Sequence, residues 1–217
     1  MRRNLRRAGM LPPDVILTFI GAATLLVWVP GPDNLFVLTQ SALYGPKVGL
    51  SVTLGLCVGL VGHSIAVALG VAAIFQSSQM AFDVLKIAGA CYLLYLAYNA
   101  FRAQPAELLD GQHPPKPMWQ WVGRGVVMNL TNPKVAVFFL AFLPQFTAPE
   151  RGSLVTQMLQ LGGIFIVFAF VHFALVSLLA GSLSRWLRQS QRSQTILNLI
   201  AGVVFVGLAV KLVTSHR

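Results

Sequence analysis

Two short segments carry the residue types from which a polar site inside an apolar chain is built: Val29-Pro30-Gly31-Pro32-Asp33-Asn34 and Asn129-Leu130-Thr131-Asn132-Pro133-Lys134. Proline lacks a backbone N–H and clashes with the preceding turn, so each segment breaks or kinks a helix and frees carbonyls and amides. Beside the freed groups lie one carboxylate, Asp33, one ammonium, Lys134, and the amides of Asn34, Asn129 and Asn132. Such a set holds both an acceptor and a donor of charge, which is what a zwitterion requires. His63 and His172 lie inside apolar runs; each is either satisfied by a neighbour's carbonyl or part of a proton relay or substrate pathway. Tyr92, Tyr95 and Asn99 form an i, i+3, i+7 stripe that either lines a pathway or packs against a neighbouring helix. Neither histidine has His, Cys, Asp or Glu at ligand spacing, so no metal site is expected. No nucleophile elbow, phosphate-binding glycine loop or zinc motif occurs, and no catalytic residue or cofactor is expected.

The elements that hold these residues follow from composition. Of 217 residues, 56% are hydrophobic and 10% charged, against roughly 25% charged in soluble domains, and the mean hydropathy is +0.71. An ordinary soluble globule is excluded. Apolar runs recur along the chain, each long enough to cross a hydrocarbon core of about 30 Å. The spans read as Val15–Leu43, Val48–Phe75, Phe82–Phe101, Trp121–Phe146, Leu154–Leu183 and Ile196–Val213, with polar or Gly/Pro punctuation between them, including Gln76–Gln79 and Gln189–Gln194. The expected fold is an all-α polytopic membrane protein of six helices. Residues 1–14 form a basic N-terminal segment and 15–217 one membrane domain. The stretch from Ala103 to Trp121, the longest polar one at about 20 residues, is too short for a soluble domain.

The net charge of +10 comes from 16 Lys and Arg against 6 Asp and Glu. The basic residues, among them Arg2, Arg3, Arg6, Arg7, Lys116, Arg185, Arg188, Arg192 and Arg217, flank the apolar runs, where they meet lipid headgroups; nucleic acid is not an expected partner. Cys57 and Cys91 fall inside apolar runs and read as small hydrophobes without a disulfide. The basic start followed by apolar residues has the outline of a signal peptide, but the apolar run continues to Leu43 and reads as a retained span. Met10 is an alternative start. The basic residues are balanced eight to seven between the two sides, so orientation is open.

A weak internal repeat divides the spans into halves, 15–101 and 121–213, joined by a linker at 102–120. Pro32-Asp33 matches Pro133-Lys134 at an offset of 101, His63 matches His172 at 109, and Ile87-Ala88-Gly89 matches Ile200-Ala201-Gly202 at 113. Three spans per half force opposite orientations, the inverted-repeat plan of many secondary transporters, in which paired broken helices point to the binding site. Ser51, Gly55 and Gly59 lie on one helix face and read as packing residues. Lys134 lies 13 residues beyond Trp121, about 20 Å along a helix. Asp33 and Lys134 are then either site residues at matched breaks or interfacial anchors that never meet.

At these same segments the chain resembles the lysine exporter / threonine–homoserine exporter (LysE/RhtB) family of bacterial amino-acid efflux proteins. The matching stretches are Pro30-Gly31-Pro32-Asp33-Asn34-Leu35, Lys86 to Leu96, Asn129 to Lys134, and Pro144-Gln145-Phe146. The resemblance extends from about Met10 to Lys211. It implies a multi-pass protein of the bacterial inner membrane that exports amino acids in exchange for protons. The Pro-Gly-Pro and Asn-Pro-Lys motifs resemble the threonine–homoserine and leucine branches more than the lysine branch. Where a lysine exporter would carry an acidic residue, this chain reads Gly62-His63-Ser64, which favours a neutral substrate. The position of Asp33 is often Asn in that family. A six-span intramembrane redox carrier or enzyme is the alternative, and it would want a cysteine pair or catalytic diad that Cys57 and Cys91 do not form.

Overall fold

The computed structural model describes residues 11–103, 117–189 and 191–214. The basic residues before Met10, Met10 itself, Lys116 with most of the 102–120 linker, and Arg217 lie outside the described residues. Among those described, the chain is helical throughout and has no strand.

Each expected span falls on helix, two of them on bent helix pairs. The first is α1 (Pro13–Trp28) followed by α2 (Pro32–Tyr44), bent by 58°. Next come α3 (Pro46–Ser77) and α4 (Gln79–Arg102). The fourth span is α5 (Met118–Leu130) followed by α6 (Pro133–Val137), which runs on through a π segment, Phe138–Phe142, and a 3-10 turn, Leu143–Phe146; its bend is 51°. After a 3-10 turn at Pro149–Arg151 come α7 (Leu154–Gln189) and α8 (Gln191–Thr214). Four helices are long and apolar enough to cross a membrane, and six spans result if each bent pair counts as one.

Large apolar side chains such as Leu17, Leu69, Val84, Val167, Leu178 and Val203 are exposed on α1, α3, α4, α7 and α8. A soluble monomer seldom exposes apolar area on this scale, so lipid is the natural solvent of this surface. The helices run further than the apolar runs that announced them. Ser78 caps α4 by accepting from the Ala81 N–H at 3.2 Å, which reduces the expected Gln76–Gln79 loop to a joint. The expected Gln189–Gln194 loop shrinks likewise, because α7 reaches Gln189 and α8 begins at Gln191. Apolar length records only contact with lipid, and a helix has no reason to stop where lipid does.

Helix α3 packs against both α5 and α7, while α4 and α8 pack on each other. Close approach of α3 to α5 rests on glycine. A Cβ on Gly55 would strike the Val122 carbonyl and Gly125, and one on Gly125 would strike the Val52 carbonyl. Gly59 lies against Asn129 in the same way, and Ser51 donates to the Lys47 carbonyl at 3.0 Å. Small residues at four-residue spacing thus bring two backbones together, and Ser51 Oγ adds a contact to Met118 Sδ of α5 at 3.4 Å. The π segment is buried in an aromatic cluster: Phe138 stacks on Phe142 at 5.2 Å and meets Phe165 of α7 at 5.1 Å, and Phe19 of α1 meets Phe146 edge-on at 5.2 Å.

A methyl group at Gly55 has backbone, not a movable side chain, in its way, so Gly55→Ala is expected to cost about 1–3 kcal/mol by overpacking. Gly70 has open space beside it, and Gly70→Ala should be neutral or gain up to about 1 kcal/mol from helix propensity. Thermal unfolding of the two variants in detergent checks the contrast.

Candidate functional site

The first break follows from hydrogen-bond bookkeeping. In a continuous helix the carbonyl of residue i accepts from the N–H of residue i+4. Leu26 would need the N–H of residue 30 and Trp28 that of residue 32, and both are prolines. The chain turns out of the helix at Val29, whose N–H is bonded to the Leu25 carbonyl, and restarts at Pro32 with Gly31 as N-cap. Carbonyls at the C-terminus of α1 are left without backbone donors inside the protein.

Two side chains supply those donors. Lys134 Nζ donates to Val29 O at 3.1 Å and Leu26 O at 3.4 Å, across 105 and 108 residues of sequence. Asn34 Nδ2 donates to Val29 O at 2.9 Å and Val27 O at 3.1 Å. An ammonium at the negative end of a helix is electrostatically favoured as well. Gly31 gives Lys134 its room, since a Cβ there would lie 3.1 Å from Nζ.

The second break is built on the same rule. Pro133 denies the Asn129 carbonyl its helical donor, and that carbonyl accepts instead from Asn132 N at 3.0 Å. His63 Nε2 lies 3.2 Å from the same oxygen; a carbonyl only accepts, so the ring donates from Nε2. Asn132 caps α6 by accepting from Lys134 N at 3.0 Å. His172 Nε2 stands 2.7 Å from Asn34 Oδ1. The Asn34 amide is oriented by its two carbonyl acceptors, so its oxygen faces His172 and the ring donates from Nε2 here too. Each histidine therefore serves the break in the other half of the chain. His172 is buried, and His63 is partly buried with its ring 5.7 Å from that of Phe139.

Asp33 is 2% exposed and Lys134 6%. Lys134 places positive charge beside the Asp33 carboxylate, with His63 and the Asn132 and Asn129 side chains close by. In this region four buried polar atoms, Asp33 Oδ1, Asn129 Oδ1, Asn132 Nδ2 and His172 Nδ1, have no hydrogen-bond partner. Bare polar atoms at this density are costly unless something else occupies them. A cavity of about 770 Å³ opens beside the second break, walled by Pro32, Phe36, Arg124, Val127, Asn132 and Pro133. That volume lies within the roughly 300–1,000 Å³ usual for small-molecule pockets.

Of the residues singled out in the sequence, Pro30, Gly31, Pro32, Asp33, Asn34, Asn129, Asn132, Pro133, Lys134, His63 and His172 fall in this one region. The structure does not bring the tyrosine stripe there. Tyr95 and Asn99 are exposed and Tyr92 half-buried on α4, with the two tyrosine rings 5.7 Å apart. The roles of Leu26, Val27 and Val29 went unread, although counting i to i+4 across Pro30 and Pro32 signals the orphaned carbonyls. Asn34 has both its N–H groups on carbonyls and its Oδ1 on His172.

The fold and the paired breaks describe a membrane translocator, and the sequence family agrees. The family model of the LysE type translocator matches residues 24–216, so the chain belongs to that family, whose members are transporters and not enzymes. It is 31% identical over 199 residues to the homoserine/homoserine lactone efflux protein of Salmonella typhimurium strain LT2, covering 92% of this chain and 96% of the relative. Identity to the leucine efflux protein of Enterobacter sp. strain 638 is 27% over 203 residues, covering 92% and 95%. An uncharacterized membrane protein of Bacillus subtilis strain 168, YrhP, is 28% identical over 205 residues, covering 90% and 97%. No solved structure matches. The redox-carrier alternative finds no support: Cys57 and Cys91 are free thiols on different helices, and the described residues hold no group of three His, Cys, Asp or Glu placed to bind a metal.

Asn34→Asp replaces an amide donor with a carboxylate that faces two carbonyls and cannot donate. Leaving buried acceptors unpaired is expected to cost about 1–3 kcal/mol or more. The midpoint of thermal unfolding should fall accordingly, and an unchanged midpoint would show that Asn34 does not hold the break.

Proposed function

We propose that the protein is a secondary transporter of the bacterial inner membrane that exports neutral amino acids, such as threonine, homoserine or leucine, in exchange for protons. The observation that carries this reading is a buried carboxylate and a buried ammonium, Asp33 and Lys134, at two helix breaks among unpartnered polar atoms. The names of the leucine and homoserine efflux relatives support the substrate class. Asp33 receives the substrate's ammonium and, in the return half of the cycle, a proton. Lys134 and the amide of Asn132 receive the carboxylate. The groups facing Asp33 from other elements are Lys134 of α6, His63 of α3, and Asn129 and Asn132 at the α5–α6 break. A proton entering down 100 mV contributes about 2.3 kcal/mol, enough for roughly a fiftyfold gradient of a neutral solute.

The two halves of the chain act as inverted repeats in this reading. Its support is reciprocal: His63 of the first half serves the second break, and His172 of the second half serves the first. Gly89 and Gly202, matched in the repeat, each lie against a neighbouring helix, at Ala141 and Phe101, and Ile87 and Ile200 both face outward.

Export is measured in cells loaded with neutral dipeptides. Expression of the protein should lower the retained amino acid, and Asp33→Asn and Lys134→Gln should each reduce export at least about tenfold, the loss of one charge-assisted contact. Tyr98→Phe, on the exposed face of α4, should leave it unchanged. Wild-type export and pH dependence in both site variants would eliminate the site.

A further inference from the structure

We propose that the pocket now holding the Lys134 ammonium is the substrate's own ammonium subsite, and that Lys134 is a tethered occupant which the substrate displaces. The chemistry of the pocket does not depend on the tether. Its walls are the carbonyls of Leu26 and Val29 at the negative end of α1 and the backbone of Gly31, with the buried Asp33 carboxylate close enough to interact electrostatically with the ammonium. These are the acceptors a primary ammonium takes with its three N–H donors, and no feature of them requires lysine.

Three observations argue that the occupant is exchangeable. Lys134 makes two hydrogen bonds, one of them long at 3.4 Å, so its three donors are not saturated. Asp33 Oδ1 is bare in a residue 98% buried, an acceptor that Lys134 leaves unused. A Cβ on Gly31 would stand 3.1 Å from Nζ and 3.5 Å from Cε, so the glycine leaves this side of the ammonium free of any side chain.

Exchange of one ammonium for another leaves the charge of the pocket unchanged, so no uncompensated buried charge is created at any stage. The released lysine, on its flexible four-carbon stem, follows the carboxylate that arrives with the incoming ammonium. A solute with only one of the two groups cannot both take the carbonyls and hold Lys134 away from them. The requirement for a zwitterion is thereby built into the resting contact. The inference rests on the export reading only for the source of the ammonium.

The test uses n-propylammonium, which together with an alanine side chain rebuilds lysine. Binding to the full-length protein in detergent is followed by thermal shift and calorimetry. Lys134→Ala should bind n-propylammonium at least about tenfold more tightly than wild type, in which the tether competes, and should ignore propyltrimethylammonium, which has no N–H. Equal or weaker binding of n-propylammonium by the variant overturns the proposal. Should the variant not fold, wild-type protein carrying 15N-lysine decides: the Lys134 ammonium resonance must move when an exported amino acid saturates the protein, and a fixed resonance overturns displacement. The first arm needs no exported amino acid, so failure of the export reading and failure of this proposal are told apart.

Discussion

The carbonyls at the C-terminus of α1 are the constraint on which the rest of the structure turns. Pro30 and Pro32 remove the donors that would continue the helix, and in a membrane no water is at hand to replace them. An unsatisfied carbonyl there costs several kcal/mol. Lys134, more than a hundred residues further on, replaces them, and it reaches them only because α6 restarts at Pro133 with Asn132 as its cap. One helix break thus supplies the remedy for the other. Gly31 keeps the contact close, and the glycines of α3 and α5 let His63 of α3 approach Asn129 at the second break.

What the sequence made legible were local features with a local cause. Proline removes a donor wherever it stands, so both breaks were readable, and the apolar runs marked where the helices lie. Helix ends were less readable, because polar residues extend α7 and open α8 where composition suggests a loop. The partners of the breaks were not readable at all. Nothing near Asn34 announces that its oxygen meets His172, 138 residues away, and nothing near Lys134 names Val29 as its acceptor. Such pairings are decided by helix packing, which the repeat hinted at without fixing. Tyr92, Tyr95 and Asn99 show the opposite error of pattern: a polar stripe at helical spacing on the outer face of α4 rather than at the breaks.

A lysine buried at a helix end stabilises the fold and at the same time stores an alternative. Its ammonium is held by carbonyls while the Asp33 carboxylate beside it lacks a hydrogen bond to Oδ1, so a second arrangement of the same charges is close in space. The π segment after Lys134 belongs to the same picture. Its hydrogen bonds span one residue more than those of an α-helix, as Leu143 N–H does in reaching Phe138 O, a geometry that recurs at functional sites, and its Phe138 packs on Phe19 of α1 and Phe165 of α7. The fourth span therefore couples the site to the first and fifth spans through one aromatic cluster.

The central claim is that the two helix breaks dock directly on each other through Gly31 and Lys134. It is tested most directly by placing cysteines at both positions, Gly31→Cys with Lys134→Cys, in a chain carrying Cys57→Ser and Cys91→Ser, and treating native membranes with an ethane-bridged bis-thiosulfonate. The account predicts efficient intramolecular cross-linking, because a Cβ at Gly31 would lie only 3.9 Å from Lys134 Cδ. Two cysteines that each react with a monofunctional reagent yet never cross-link would contradict it.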